Sequence, residues 1–447
     1  MASGARAGRV LAGSVLTPAG VVHEAEVAWD DEGIISYVGP VRGPLAADDI
    51  DAAGQVVIPG LVNAHTHSAM TLLRGYSDDC DLHTWLAGIR SFEMHLSQAD
   101  IVAGLRLALV EMIRSGVTTF ADMYAWDAAL LDEVIDSGLR VLAAPTVFDH
   151  DSRPYPSASP LDGRGVLALT EELAAQYAGH PQVRLAFGPH APYTCPPQVY
   201  EDIAERATRL GLIVHTHVAE TAVEINDIQQ RYGASPVAHL RDLGLFEVQV
   251  LAAHCVHVDE ADIATLAAAG VGVAYNPVSN LKLGAGIAPL RAMRRAGVRL
   301  GLGTDSVASN NTLDMFEEIK VGALIQRGLA QDATAARGVD LFAMATHEGA
   351  AAVGFPEVGA LEPGRAADLV VLRTDGPHAT PMHSVLAYLA FAARASDVRD
   401  VVVGGRRVLA DGVVLTLDED AVRAHAAAVS ARLAGDAQAA EAVGEHP

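Results

Sequence analysis

The sequence has few cysteines and no long apolar run. Its three cysteines, Cys80, Cys195 and Cys255, are widely spaced and odd in number, which argues against a disulfide framework and for a reducing compartment. No run of about 18 uncharged apolar residues is present that would form a transmembrane helix. Glycines and a proline interrupt residues 1–20 before a signal-peptide core of useful length. We therefore expect a cytoplasmic protein without a membrane partner.

Positively charged residues are also scarce. The chain of 447 residues has 31 Lys and Arg against 55 Asp and Glu, a net charge of −24, and its only lysines are Lys282 and Lys320. An acidic surface of this kind repels a phosphate backbone and an anionic membrane, which argues against a nucleic-acid polymer as a partner. Aromatic residues make up 5% and hydrophobic residues 50% of the chain, so the core must consist mainly of Ala, Val and Leu.

The local patterns predict two kinds of structure. Residues 1–58 and 362–447 contain short β-like runs separated by turns, which predict a small β-sandwich domain formed from both chain ends, with a helix at the C-terminus. Residues 59–361 repeat an amphipathic helix that ends in glycine and is followed by an apolar strand. Repeated units of this type indicate an α/β fold with a parallel sheet, and their number predicts a closed (β/α)8 TIM barrel.

Polar residues stand where several predicted barrel strands end. The stretch PGLVNAHTHSAM carries His65 and His67, and residues two apart on a strand point to the same side, so both rings can reach one ion. Further strands end in these polar residues: His190 in RLAFGPHAP, His215, His217 and Glu220 in LIVHTHVAE, His254 and His257 in VLAAHCVH, and Asp305 in RLGLGTDS. A single histidine at a strand end is more often a hydrogen-bonded polar residue than a ligand, and Asp305 alone could cap the next helix. Their succession at strand ends, where TIM barrels carry their chemistry, predicts a metal site.

The chemical types of these residues indicate which ion they would bind and what reaction the ion would assist. Three neutral imidazoles and one carboxylate suit Zn²⁺, and such an ion lowers the pKa of a bound water to about 7. A base must then move a proton to the leaving group. Glu220 lies three residues beyond His217 and is the natural candidate for this transfer.

These segments resemble the amidohydrolase superfamily, in its branch of 5-methylthioadenosine/S-adenosylhomocysteine deaminases and related chlorohydrolase-like enzymes. The resemblance runs from about Pro59 to Phe355. It rests on the segments PGLVNAHTHSAMTLLRG, EMIRSGVTTFADMY, FGPHAPYTCP, HTHVAET, AAHCVH, NPVSNLKLGAGIAPL and LGTDSVASNNTLDMFEE. The β-like segments at both chain ends also fit the accessory β-sandwich of this family.

The resemblance implies a role for each strand-end residue. The implied metal ligands are His65, His67, His217 and Asp305. Glu220 would move protons, His254 with Asp305 would hold the attacking hydroxide in line, and His190 would contact the purine or ribose side. Relatives with two metals bridge them by a carboxylated lysine on a barrel strand, whereas the two lysines here lie late in the sequence. We therefore expect one divalent metal ion per chain, zinc, with iron or manganese as alternatives.

Three further residues resemble substrate contacts of the family. Trp85 resembles the aromatic residue near the nucleobase, and Glu93 the carboxylate that accepts hydrogen bonds from both ribose hydroxyls; a solvated charge at a helix end is the alternative for Glu93. Arg164 resembles an arginine that reaches the group beyond the ribose 5′ carbon. A second arginine expected in LAAPTVF is absent, with Pro145 in its approximate place, so the 5′ substituent stays open.

The implied function is hydrolytic deamination of an adenine-type nucleoside, such as 5-methylthioadenosine, S-adenosylhomocysteine or adenosine, to the inosine-type product and ammonia. The first alternative is the same machinery acting on an aminofutalosine-type nucleoside, guanine or another aminated heterocycle, or a halogenated triazine. A cyclic-amide hydrolase, which usually needs two metals, and a catalytically inactive relative are further alternatives. We also expect a homo-oligomer that binds a small-molecule substrate.

Overall fold

The computed structural model describes residues 7–443, so the outermost residues of both predicted terminal segments lie outside it. The described chain forms two eight-stranded sheets. One sheet is built from both ends of the chain, and the other is a parallel barrel built from its middle. This arrangement confirms the predicted α/β fold with a TIM barrel and a smaller domain formed from both chain ends.

The first four strands begin the sheet of the smaller domain. They are β1 (Gly8–Thr17), β2 (Gly20–Trp29), β3 (Ile35–Pro40) and β4 (Ile50–Pro59). β1 and β2 pair as an antiparallel hairpin, and β1 also pairs in parallel with β4. Val10, Val27 and Val57 are fully buried in the core of this domain, in keeping with the preference of β-branched side chains for strands.

The eight strands of the barrel follow in sequence order. They are β5 (Leu61–Thr66), β6 (Val117–Tyr124), β7 (Arg140–Val147), β8 (Val183–Pro189), β9 (Ile213–Val218), β10 (Val250–His254), β11 (Gly272–Tyr275) and β12 (Arg299–Leu302). Neighbouring strands pair in parallel from β5 to β12. The amide of Asp305 donates to the carbonyl of His65 at 2.9 Å, which ties the segment after β12 to β5. Small side chains such as Ala64, Ala121 and Ala274 fill the interior, so the polar strand ends are left at one rim of a packed barrel.

The last four strands complete the sheet of the smaller domain. They are β13 (Leu369–Leu372), β14 (Val398–Val403), β15 (Arg406–Ala410) and β16 (Val413–Val414). β13 pairs antiparallel with β4, and the strands form one continuous sheet in the order β16-β15-β14-β13-β4-β1-β2-β3. Arg140 of the barrel donates two hydrogen bonds of 3.0 Å to the buried carboxylate of Asp368, which joins the two domains. The domain boundaries at residues 58/59 and 361/362 stay predictions.

Helices connect the strands and follow the last of them. The α-helices are α1 (Leu82–Glu93), α2 (Gln98–Arg114), α3 (Ala128–Ser137), α4 (Gly163–Gln176), α5 (Pro197–Leu210), α6 (Ala222–Tyr232), α7 (Pro236–Asp242), α8 (Glu260–Ala269), α9 (Pro277–Lys282), α10 (Leu290–Ala296), α11 (Val307–Asn310), α12 (Met315–Ala330), α13 (Gly338–Met344), α14 (His347–Ala352), α15 (Val385–Phe391) and α16 (Glu419–Val443). Short 3₁₀ helices span Ser68–Leu73, Leu245–Glu247, Pro377–Ala379 and Ala395–Asp397. The predicted glycine stops end several helices in a left-handed conformation, as at Gly138 and Gly211. Between residues 7 and 443, no helix has the length and apolar character needed to cross a membrane.

Candidate active site and metal centre

Side chains from four barrel strands meet at one rim of the barrel. They are His65, His67, His217, His254 and Asp305. The Nε2 atoms of His67 and His217 lie 3.3 Å apart, and the Nε2 atoms of His65 and His67 each lie 3.4 Å from Asp305 Oδ1. The structure therefore brings together the four residues that the sequence predicts as metal ligands. They belong to two overlapping groups that could hold an ion, and His65 is common to both groups.

Hydrogen bonds determine which nitrogen of two histidines faces the cluster. His67 Nδ1 lies 2.6 Å from the carbonyl oxygen of Met123, and His217 Nδ1 lies 2.7 Å from that of His190. Because a carbonyl oxygen only accepts, both Nδ1 atoms carry a proton, and in neutral rings both Nε2 atoms present lone pairs. Two lone pairs 3.3 Å apart repel each other unless a cation lies beside them. The donor arrangement therefore fits a metal ion.

His65 is fully buried. Burial lowers the pKa of His65 to about 4 and, with the neighbouring histidines, lowers the pKa of His217 well below its usual range. Both rings are therefore neutral at pH 7 and able to act as ligands. His65 Nδ1 lies 2.9 Å from His215 Nε2, whereas His65 Nε2 is buried without a hydrogen-bond partner. A metal ion would satisfy this buried nitrogen.

Asp305 supplies a negative charge to the cluster. Burial alone would raise its pKa, but the close approach of His65, with attraction to His254 and His67, holds the pKa of Asp305 well below its usual range. The hydroxyl of Ser279 donates to Asp305 Oδ2 at 2.6 Å. The φ angle of Asp305 is +61°, a left-handed conformation that is unfavourable for residues with a side chain and is common at functional sites.

A second carboxylate faces the cluster from the turn after β9. Glu220 is 3% exposed, and its Oε2 lies 3.8 Å from His254 Nε2. Burial raises the pKa of Glu220. Burial would lower the pKa of His254, but attraction to Glu220 and Asp305 and a 2.8 Å contact of its Nδ1 with Asn280 Oδ1 raise it. The carboxylate and the imidazole can therefore each hold a proton at the edge of the cluster.

A cavity of about 500 Å³ opens on this cluster. His67, His217, His254 and Asp305 of the cluster line it, together with Glu220. Trp85, Ile89 and Glu93 follow one another at four-residue steps on α1, so they share the helix face that lines the cavity. Trp85 Nε1 donates to the carbonyl of Ala308 at 3.2 Å, which holds the indole in the wall. The size and the mainly apolar wall suit a small organic ligand.

Glu93 and His190, which the sequence analysis predicts as substrate contacts, both line the cavity. Glu93 is only 9% exposed, so it is not a solvated charge at the helix end. The hydroxyl of Tyr124 donates to Glu93 Oε1 at 2.9 Å, and burial raises the pKa of Glu93. Burial lowers the pKa of His190 to about 3, and its Nδ1 lies 2.9 Å from Thr194 Oγ1. The carboxylate of Glu93 retains acceptor sites for a ligand, because Tyr124 occupies only one of them.

Comparison with known proteins agrees with this geometry. The profile of the amidohydrolase family matches residues 56–408. The chain is 41% identical over 426 residues to a 5-methylthioadenosine/S-adenosylhomocysteine deaminase of Desulforamulus reducens, with 94% of this chain and 96% of the relative covered. It is 44% identical over 410 residues to an enzyme of the same name from Moorella thermoacetica, with 90% and 94% covered. The chain belongs to the amidohydrolase family.

Solved structures support the same assignment. An adenosine deaminase from Xanthomonas campestris with bound zinc is similar to this amidohydrolase with a TM-score of 0.91 at 35% identity, covering 96% of this chain and 99% of that one. An atrazine chlorohydrolase from Arthrobacter aurescens in complex with zinc gives a TM-score of 0.86 at 25% identity, covering 95% and 100%. The predicted family and the predicted hydrolase class are confirmed.

One predicted substrate contact of the amidohydrolase lies outside the cavity wall. Arg164 stands at the start of α4, its side chain is 59% exposed, and its guanidinium lies 3.2 Å from the carboxylate of Asp151. Arg153 lines the cavity instead. The segment that carries Arg153 is attached to α1, because Arg90 donates to the carbonyl of Pro154 at 2.8 Å. Substrate contact by Arg164 stays a prediction that the structure does not favour.

Sequence reasoning missed several residues of the cavity wall. Tyr124 is the last residue of β6, and Phe148 directly follows β7, so a search of strand ends for aromatic as well as ionisable residues would have found both. Arg153 and Tyr193 lie in loops, where no periodic pattern indicates the direction of a side chain. His257, by contrast, follows a predicted strand in the sequence, but its Nε2 is hydrogen-bonded to the carbonyl of Ala285 at 2.7 Å.

Proposed function

We propose that this chain is a hydrolytic deaminase of an adenine-type nucleoside, which replaces the exocyclic amine of the base with oxygen and releases ammonia. The observation that carries the proposal is the buried Glu220 beside His254, at a cavity whose wall includes the buried Glu93. A proton-transferring carboxylate at a metal-capable cluster suits hydrolysis, and a second buried carboxylate suits the two donors of a ribose diol. The names of the relatives that are 41% and 44% identical support the same reaction.

We infer one divalent ion per chain, zinc in the first instance, with iron or manganese as alternatives. The residues that would hold it are His65, His67, His217 and Asp305. Zinc in the two solved relatives supports this choice. The two lysines support a single ion, because Lys282 Nζ donates to Asn311 Oδ1 at 2.6 Å and Lys320 lies in α12, so neither is available as a bridge. When bound, such an ion supplies Lewis acidity that makes a water nucleophilic near neutral pH.

In the proposed reaction, Glu220 transfers protons and His254 orients the attacking water. Glu220 takes a proton from the attacking water, delivers it to the ring nitrogen of the base, and passes the second proton of the water to the departing amine. His254 Nε2 lies between the two carboxylates, 3.8 Å from Glu220 Oε2 and 4.0 Å from Asp305 Oδ2. This position suits the orientation of the water for attack on the amine-bearing carbon. The carbon–nitrogen bond then breaks and ammonia leaves.

The cavity wall suggests how the nucleoside is held. We assign Trp85 to the nucleobase, His190 to the purine or ribose side, and Glu93 to the ribose hydroxyls. Arg153 is better placed than Arg164 to reach a group beyond the 5′ carbon, since Arg153 lines the cavity and Arg164 is paired outside it. A homo-oligomeric state and a cytoplasmic location stay predictions.

A substrate panel tests the proposed function. Zinc-loaded wild-type protein and Glu220→Gln are incubated with adenosine, 5-methylthioadenosine, S-adenosylhomocysteine, guanine and a chlorotriazine, and ammonia, chloride and ultraviolet absorbance are measured. We expect ammonia release from at least one adenine nucleoside by the wild type and its near-complete loss in the variant. If guanine or the triazine is turned over and no nucleoside is, the result would instead support the alternative suggested by the similarity to the atrazine chlorohydrolase.

A further inference from the structure

Glu224 is a buried carboxylate for which the proposed reaction has no direct use. It is the third residue of α6 and is 1% exposed. Its Oε1 accepts a hydrogen bond from the amide of Ala219 at 2.9 Å, and its Oε2 accepts one from the amide of Glu220 at 2.8 Å. A single carboxylate therefore holds the backbone of the residue proposed to transfer protons.

These two hydrogen bonds differ from those of an ordinary helix cap. In a capping box, the side chain at the third helical position reaches back to the amide of the N-cap residue. The N-cap of α6 is Thr221, and its hydroxyl oxygen accepts from the amide of Glu224 at 3.2 Å. The carboxylate of Glu224 instead accepts hydrogen bonds from the amides of the two residues before Thr221. Thr221 therefore caps the helix, whereas Glu224 holds the turn that precedes it.

The turn after β9 needs such support. β9 ends at Val218, and Ala219 has a φ angle of +52°, a left-handed conformation that is unfavourable for a residue with a side chain. The carbonyl of Ala219 accepts from the amide of His257 at 2.9 Å, so the turn is held from two sides. Without the carboxylate of Glu224, the amides of Ala219 and Glu220 would be buried without partners. Relaxation of the turn would then move Glu220.

We propose that Glu224 is a positioning residue that sets the place of the Glu220 carboxylate relative to His254 by fixing the backbone of Ala219 and Glu220. The proposal rests on the proton transfer assigned to Glu220 in the proposed function. Glu220 must reach the attacking water, the ring nitrogen and the departing amine in turn. A misplacement of about 1 Å at a reacting group can reduce a rate by about 10²-fold. Glu224 thus contributes to turnover without touching the substrate.

Two substitutions at Glu224 and one matched control test this role. Glu224→Ala removes both acceptors and should reduce kcat by about 10²-fold, with KM changed by less than about threefold because the cavity wall is intact. Glu224→Gln keeps one oxygen acceptor for one of the two amides, so we expect it to recover part of the lost kcat. The control is Asp259→Ala. It removes a carboxylate oxygen that accepts hydrogen bonds from two amides, at 2.8 and 2.9 Å, at the start of α8. This control should lower thermal stability but leave kcat unchanged.

Amide hydrogen exchange provides a readout that does not depend on activity. A peptide containing Ala219 and Glu220 should exchange faster in Glu224→Ala than in the wild type or in Asp259→Ala. Equal exchange, or a kcat in Glu224→Ala equal to that of Asp259→Ala, would overturn the proposal. If Glu224→Ala does not fold, Glu224→Gln decides, and a wild-type kcat in that variant would overturn the proposal. A wild-type protein that deaminates no nucleoside would overturn the proposed function, whereas faster exchange in Glu224→Ala would still support the fixed turn.

Discussion

Replacing Glu93 by alanine separates a ribose contact from a purely structural carboxylate. Glu93 is buried in the cavity wall, and Tyr124 occupies only one of its acceptor sites. If both ribose hydroxyls donate to the remaining sites, Glu93→Ala leaves them unpaired in a buried environment. The loss should be about 2 to 4 kcal/mol of transition-state binding, which is roughly 30- to 900-fold in kcat/KM.

The assay compares two substrates on two proteins. Adenosine and 2′,3′-dideoxyadenosine differ only in the diol, so the four kcat/KM values form a thermodynamic cycle. Any effect of the unpaired Tyr124 hydroxyl in Glu93→Ala is common to both substrates and cancels. We expect the variant to lose most of its activity on adenosine and little on the dideoxy compound. Equal losses on both would refute the ribose contact and favour a substrate without ribose.

Three further predictions concern the same cavity. Glu220→Gln should keep the metal content but reduce kcat by about 10²- to 10⁴-fold, and a variant with a tenth of wild-type activity would contradict the proton transfer. Arg153→Ala should raise the KM for a nucleoside with a charged 5′ group more than the KM for adenosine. Arg164→Ala should leave both KM values unchanged. The opposite pattern would support the substrate contact predicted for Arg164. Because burial raises the pKa of Glu93 and protonation removes an acceptor, kcat/KM for adenosine should fall on acidification at a pH above the usual glutamate range. The ratio of kcat/KM for adenosine to kcat/KM for 2′,3′-dideoxyadenosine should fall over the same pH range. A ratio that does not change with pH would contradict the role of Glu93.

Residues on regular elements could be placed from the sequence. His65 and His67 follow the two-residue period of a strand, and His217 and His254 lie at the ends of later strands, so the barrel pattern alone predicts that they converge. The convergence is visible in the 3.3 Å separation of His67 Nε2 and His217 Nε2. Glu93 could also be placed beside the cavity, because it follows Trp85 on one helix after the first barrel strand.

Residues whose position depends on loops could not be placed in this way. Arg164 stands in the first turn of α4, which Asp162 caps, and there it pairs with Asp151 at the surface. Arg153 reaches the cavity from a loop that is attached to α1 by the hydrogen bond from Arg90 to the carbonyl of Pro154. The two hydrogen bonds of Glu224 also cannot be predicted from the sequence, because the three-residue spacing from Thr221 to Glu224 indicates an ordinary capping box.

Titrating zinc into metal-free protein while measuring ammonia release from the best nucleoside substrate is the most direct test of metal-dependent deamination at this cluster. We expect no release before zinc is added and a linear rise that levels off at about one ion per chain, as three imidazoles and one carboxylate around one ion require. His67→Ala should show neither tight zinc binding nor activity. Full activity of the metal-free protein, or a plateau only at about two ions per chain, would contradict the mononuclear centre formed by His65, His67, His217 and Asp305.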